Sequence, residues 1–323
     1  MARNNDTAKS LKVFIEDILV LAYVGPANPR IKHFGLQTHL GLIFPHVRHY
    51  LHLVLLLTAV SGFVFSLSAQ SPGQTSPLTL HPALFLVGDS TMKTGSGNGE
   101  KGPWGWGSEL GSFFDPNKLN IYNEGHGGRS SRSFIEEGLW TNVVERMRPG
   151  DFLLIQFGHN DSANSRNYPD RVSLSGSGEQ QLETNSPATG KKEVLHTYGW
   201  YLRQYIKDAK ANGVLPIICS PVPRNTWSEG KIKRGFDGYA QWAAESARGS
   251  DALFLDLNAI AAGHYDELGE EKAASLFADR QHTTKAGAQL NAKCVVEGLK
   301  GLKKCPLSND LLPAQSKAQE RGN

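Results

Sequence analysis

Five short apolar runs recur along the chain, at residues 83–87, 119–122, 152–157, 214–220 and 252–257. No other feature of the sequence restricts its fold as much. Each run is bounded by Gly, Pro, Asp or Asn and is apolar toward both faces of a two-residue period. That is how a parallel strand buried on both sides reads. Between the runs lie stretches with helical spacing of apolar residues, at 134–147, 196–212, 238–248 and 284–302. Strand and helix in alternation predict an α/β fold, with helices on both faces of a five-stranded parallel sheet. Five strands in about 230 residues make one domain rather than two.

Two stretches read as loops. Residues 94–107 are rich in glycine and hold Trp104 and Trp106, and residues 162–192 are long, polar and rich in Ser, Gly and Asn. Both leave the carboxyl end of a predicted strand, which is the ligand-binding edge of an open α/β sheet. A loop longer than about fifteen residues in a compact domain points to function or to disorder.

Four short motifs sit beside the predicted strands or ahead of the last helix. In Phe85-Leu86-Val87-Gly88-Asp89-Ser90-Thr91 a strand runs straight into a serine, a nucleophile if a base and an oxyanion site lie near it. In the run from Asn123 to Arg132, Gly127 and Gly128 allow backbone N–H groups to approach a ligand closely. In Phe157-Gly158-His159-Asn160-Asp161 the Asn160 amide is a candidate oxyanion donor. In the run from Phe277 to Thr283, Asp279 stands three residues before His282 and can orient the ring as a base toward Ser90. Taken singly, each motif also reads as an ordinary turn or cap. Together they supply a nucleophile, oxyanion donors, an acid and a base, in the chain order Ser, Asp, His.

These residues resemble the four blocks of the SGNH (GDSL-type) hydrolase superfamily. Gly88-Asp89-Ser90, Gly128, Gly158-His159-Asn160-Asp161 and Asp279 with His282 carry the likeness. The runs 87–92, 127–134, 156–161, 191–200 and 221–227 are similar more narrowly to rhamnogalacturonan acetylesterases. The resemblance implies a flavodoxin-like three-layer α/β/α sandwich over residues 82–305, and an esterase that removes acetyl groups from pectic rhamnogalacturonan. It implies Ser90 as nucleophile, His282 as base and Asp279 as its partner. The oxyanion hole would be the N–H groups of Ser90 and Gly128 with the Asn160 amide. It implies no metal and no cofactor. Trp104 and Trp106 are candidates to stack on sugar rings, against the alternative that they fill the core. Acetylated xylan or a small ester is the alternative substrate, and a non-catalytic wall-binding protein the alternative class. Asn160-Asp161-Ser162 is a formal glycosylation acceptor. An amide that serves an oxyanion cannot carry a glycan, so Asn160 is expected to be unmodified.

Charge and the N-terminal segment complete the reading. Residues 1–69 hold six of the 34 basic and three of the 31 acidic residues, so residues 70–323 are electrically neutral. Nothing in that balance calls for nucleic acid as a partner. Residues 51–69 are apolar apart mainly from His52, with Arg48 ahead and Ser66, Ser68 and Ala69 at the end. A basic flank, an apolar core and a small-residue end are the parts of a secretory signal. The length also suits a membrane anchor, and only then is a membrane a partner. Residues 70–81 read as a linker and residues 306–323 as a polar tail. The expected location is extracellular, with an acetylated pectic polysaccharide as partner and nothing requiring more than a monomer. Cys219 is expected to pack as a small core residue. One continuous helix joining Cys294 and Cys305 would hold them roughly 16 Å apart, so no disulfide framework is expected.

Overall fold

The computed structural model describes residues 81–94, 103–162 and 169–313. The expectations for residues 1–69, and for the linker as far as residue 80, lie outside the described residues.

All five apolar runs form strands of one sheet. They are β1 (Ala83–Gly88), β2 (Asn120–Asn123), β3 (Phe152–Gln156), β6 (Leu215–Cys219) and β9 (Leu253–Leu255). The spatial order is β2-β1-β3-β6-β9, and every pairing is parallel. Leu84 stands opposite Ile121 on one side and Phe152 on the other. The chain leaves β1 for the edge strand β2, then returns past β1 to form β3. The order therefore reverses between β1 and β3, and a crevice opens where their carboxyl ends diverge.

Successive residues of β1, β3 and β6 feed two separate cores, because side chains alternate across a pleated sheet. The run at 119–122 departs from the expected two-sided burial, since β2 is an edge strand with Asn120 and Tyr122 exposed and Ile121 half-buried. Leu84, Leu86, Leu154, Ile217 and Leu255 pack on one face. The helices there are α5 (Leu257–Leu268) and α7 (Lys285–Gly301), which contribute Ala261, Tyr265, Val295 and Leu299. Phe85, Val87, Leu153, Ile155 and Ile218 pack on the other face. It is covered by α1 (Ser131–Glu136), α2 (Leu139–Val144), α3 (Tyr198–Ala211) and α4 (Tyr239–Gly249), through Phe134, Trp140, Tyr205 and Ala243. This is the expected three-layer α/β/α sandwich.

Several local expectations change. The stretch at 134–147 is two short helices, because Gly138 takes a left-handed conformation that stops the first and starts the second. Helix α5 had no place in the sequence reading. It begins directly after β9, capped by the Asp256 side chain on Ala259 N–H, and buries Leu257, Ala261, Ala262 and Tyr265. A short helix α6 (Glu270–Ala274) follows it. The long polar stretch is not all loop, since β4 (Gln181–Asn185) pairs with β5 (Lys192–His196) in an antiparallel hairpin. The domain also does not close at residue 305. Leu307 is fully buried, Asp310 accepts a hydrogen bond from Asp115 N–H, and Leu312 N–H donates to Phe113. Of the three leucines in this otherwise polar tail, Leu307 is buried in the core and Leu311 packs against it, bridging by backbone to Phe114. Cys219, Cys294 and Cys305 are free thiols, all buried. Among the described residues no helix is long and apolar enough to cross a membrane.

Candidate active site

Strand β1 ends at Gly88 and leads directly to Asp89 and Ser90. Asp89 is fully buried. Its Oδ1 accepts from the N–H and the hydroxyl of Thr91, each at 2.8 Å, which folds the chain into a tight turn and turns Ser90 out. Burial pushes the Asp89 carboxyl up, but His159 beside it and the bonds from His159 and Thr91 outweigh that, leaving it below its usual range.

The segment after β2 runs alongside the end of β1. Glu124 N–H donates to Leu86 and His126 N–H to Gly88, both at 2.9 Å. This brings Gly127 against Ser90, so that a Cβ on Gly127 would lie 3.8 Å from the Ser90 Cβ. Gly128 has φ +76°, a left-handed conformation natural to glycine. A Cβ there would also meet the Arg171 guanidinium at 3.0 Å. Ser130 then caps α1 reciprocally with Ser133, which fixes where the loop ends.

After β3 the chain passes through Gly158, at φ +134°, where a Cβ would lie 2.7 Å from Pro221. The Asn160 amide donates to the Arg129 carbonyl at 3.1 Å, and an amide has a second N–H to offer. The loop behind it is held by Asp161, fully buried, which accepts from Ser131 N–H and from the hydroxyls of Ser131 and Ser173.

The last motif is a closed turn ahead of α7. Asp279 Oδ1 accepts from the N–H groups of Gln281 and His282, both at 2.7 Å. Its Oδ2 lies 2.7 Å from His282 Nδ1. Burial pushes the Asp279 carboxyl up, and these bonds more than reverse it, holding the group below its ordinary value. On the other side of the ring, Nε2 lies 2.8 Å from Ser90 Oγ. A proton on Nδ1 facing Asp279 leaves Nε2 as the acceptor for the serine hydroxyl. Ser90, His282 and Asp279 thus form one hydrogen-bonded row, with Gly128 and Asn160 brought to the same crevice by the loops after β2 and β3.

The two tryptophans separate. Trp106 is fully buried and donates its indole N–H to Gln156 Oε1 at 2.9 Å. It belongs to the core and has no face to offer a sugar, which corrects the stacking role expected of it. Trp104 is half-buried and bridges by backbone to Thr283, next to His282, with Lys285 Nζ 4.9 Å from its ring centre. Two further contributors were not visible as such in the sequence. His159 is a buried partner of Asp89, and Arg171 reaches Gly128 from a polar stretch with no distinguishing pattern.

In sequence and in fold the chain is similar to known acylhydrolases. Residues 84–295 match the protein family described as GDSL-like Lipase/Acylhydrolase. A Bacillus subtilis protein named "Probable rhamnogalacturonan acetylesterase YesY" is 33% identical over 225 residues, 68% of this chain and 93% of that one. A rhamnogalacturonan acetylesterase from Emericella nidulans is 30% identical over 227 residues, 69% of this chain and 86% of the relative. The crystal structure of Bacillus subtilis YxiM superposes with a TM-score of 0.56 at 24% identity, covering 68% of this chain and 56% of that one, and shares the fold.

Proposed function

The chain belongs to the GDSL-like lipase/acylhydrolase family, and from that premise we propose that it is a serine acetylesterase acting on acetylated rhamnogalacturonan. The observation that carries the reading is the row Ser90 Oγ, His282 Nε2, His282 Nδ1, Asp279 Oδ2, with both gaps at hydrogen-bond length. A binding module has no use for all three groups in that order.

The chemistry is acyl transfer in two steps. His282 Nε2 takes the Ser90 hydroxyl proton as Oγ attacks the acetyl carbonyl. The tetrahedral oxyanion is held by the N–H groups of Ser90 and Gly128 and by the free N–H of the Asn160 amide. His282 returns the proton to the departing sugar oxygen, leaving an acetyl-serine. Water, activated by the same ring, then releases acetate. Asp279 stays ionised and holds the imidazole in the tautomer that each step needs. Oxyanion donors of this kind are each worth about 10²–10³ in rate. Trp104, half-buried and next to the His282 turn, is the candidate platform for a sugar.

A polymeric pectic substrate lies outside the cell, so the same reading has residues 51–69 direct export. N-terminal sequencing of the protein recovered from the medium checks it, and a start near residue 70 is the expected result.

The primary test is acetate release from acetylated rhamnogalacturonan and acetylated xylan, side by side, with Ser90→Ala as control. Release from the pectic polymer, lowered in Ser90→Ala by at least about 10⁴, supports both the mechanism and the substrate. Release from xylan alone would keep the triad and overturn the pectic assignment.

A further inference from the structure

A recess of about 130 Å³ opens beside the row of catalytic groups, lined by Arg224, Thr226, Lys233, Arg234, Asp237 and Arg280. Its position is fixed from both sides of the crevice. Arg224 donates to the carbonyl of His159, the residue before Asn160, at 3.3 Å, and to Oε1 of Gln281, the residue before His282, at 3.1 Å. Asn225 N–H donates to the Arg280 carbonyl at 2.9 Å, and Lys233 N–H to the Thr226 carbonyl at 2.8 Å. The far wall is therefore a small hairpin of β7 (Trp227–Ser228) and β8 (Lys231–Ile232), tied by backbone to the loop that carries His282.

The charges in this recess do not cancel. Arg234 is committed to Asp266, at 2.7 Å. Asp237 is the acid on the wall, against Arg224, Lys233 and Arg280. Burial, and then the neighbouring Arg280, push the Arg224 guanidinium below its ordinary value. Arg224 is half-buried, Lys233 and Arg280 are exposed, and like charges drawn together around one recess favour an anion between them. The recess is small, and residues 70–323 carry no net charge, so the anion called for is one compact group rather than a broad polyanionic surface.

We propose that this recess is a carboxylate subsite, which seats the uronate carboxylate of a glycan so that its acetyl ester reaches Ser90. The subsite rests on the acetylesterase reading and sharpens it. The acidic sugar is gripped by Lys233 and Arg280, with the charge of Arg224, itself bonded to both loops, behind them, whereas a neutral xylan chain has nothing to place there. A guanidinium presents a fork of donors matched to a carboxylate, and charge-assisted bonds of this kind are the stronger ones.

The test compares kcat/KM on acetylated rhamnogalacturonan with that on the same polymer after methyl esterification of its carboxylates. The wild type and the double variant Lys233→Gln/Arg280→Gln are both measured. Each rate is divided by that protein's own rate on p-nitrophenyl acetate, so that any loss of chemistry or of folded protein cancels. The wild type is expected to lose about tenfold on the esterified polymer, and the double variant to lose about as much on the acidic polymer while discriminating less than about twofold. Equal wild-type rates on the two polymers would overturn the subsite and leave the acetylesterase reading standing. Undiminished discrimination in the double variant would overturn its assignment to this recess. No acetate from any of the three esters would overturn the acetylesterase reading, and the subsite with it.

Discussion

Asp89 Oδ2 lies 3.1 Å from His159 Nδ1, with both side chains fully buried, and the other ring nitrogen of His159 lies 3.0 Å from the Val222 carbonyl. Asp89 precedes Ser90 and His159 precedes Asn160, so this pair sets the distance between the serine and the amide facing it. His159→Phe would leave the Asp89 carboxylate buried without its partner. The expected cost is about 3–5 kcal/mol of unfolding free energy, read from denaturant titration. A change below about 1 kcal/mol would show that the pair is not a structural brace.

The oxyanion donors make a kinetic prediction. Asn160→Ala should lower kcat on p-nitrophenyl acetate by about 10²–10³ with little change in KM, because the oxyanion exists only in the transition state. Gly128→Ala should also lower kcat. Its φ of +76° disfavours a side chain, and the added carbon meets the Arg171 guanidinium at 3.0 Å. A variant at either position with unchanged kcat would remove that residue from the site.

Asp161 makes a prediction about pH and stability. Burial pushes its carboxyl up, the bonds from Ser131 and Ser173 pull it partly back, and it settles at about 7 against an ordinary 3.8. The folded chain therefore keeps a proton that the unfolded chain loses earlier. The stability from this group is complete below about pH 4 and is lost as pH rises toward 7. Asp161→Asn cannot titrate. The difference in unfolding free energy between wild type and Asp161→Asn should therefore slope from pH 4 to 7, by a few kcal/mol in all, and be flat above. A flat difference across the whole range would contradict the raised value.

The two tryptophans can be told apart by experiment. Trp106→Phe leaves Gln156 Oε1 buried without the indole donor, so stability should fall by about 1–3 kcal/mol while KM for the polymer stays within twofold. Trp104→Ala should raise KM for the polymer and leave the Gln156 contact untouched. A KM effect at Trp106 larger than at Trp104 would reverse the assignment.

The fold was largely legible in the sequence. A strand buried on both faces must be apolar at every position, and that requirement writes itself into consecutive residues such as Leu84, Phe85, Leu86 and Val87. The motifs around Ser90, Gly128, Asn160 and His282 were legible for a related reason, since each side chain acts within a few residues of the turn that aims it. What stayed hidden depends on contacts between distant segments. No local pattern says that Trp106 turns into the core while Trp104, two residues earlier, lies beside His282. None says that Leu307 docks a polar tail, or that helix α5 follows β9 with Leu257, Ala261 and Tyr265 buried. The row from Ser90 to His282 spans 192 positions of sequence, and the recess at Arg224 is assembled from two loops. Sequence alone determined which groups were available and which strand ends would present them. Tertiary structure decided which of them meet, because burial and hydrogen bonding across the sheet's carboxyl edge are properties of the assembled fold.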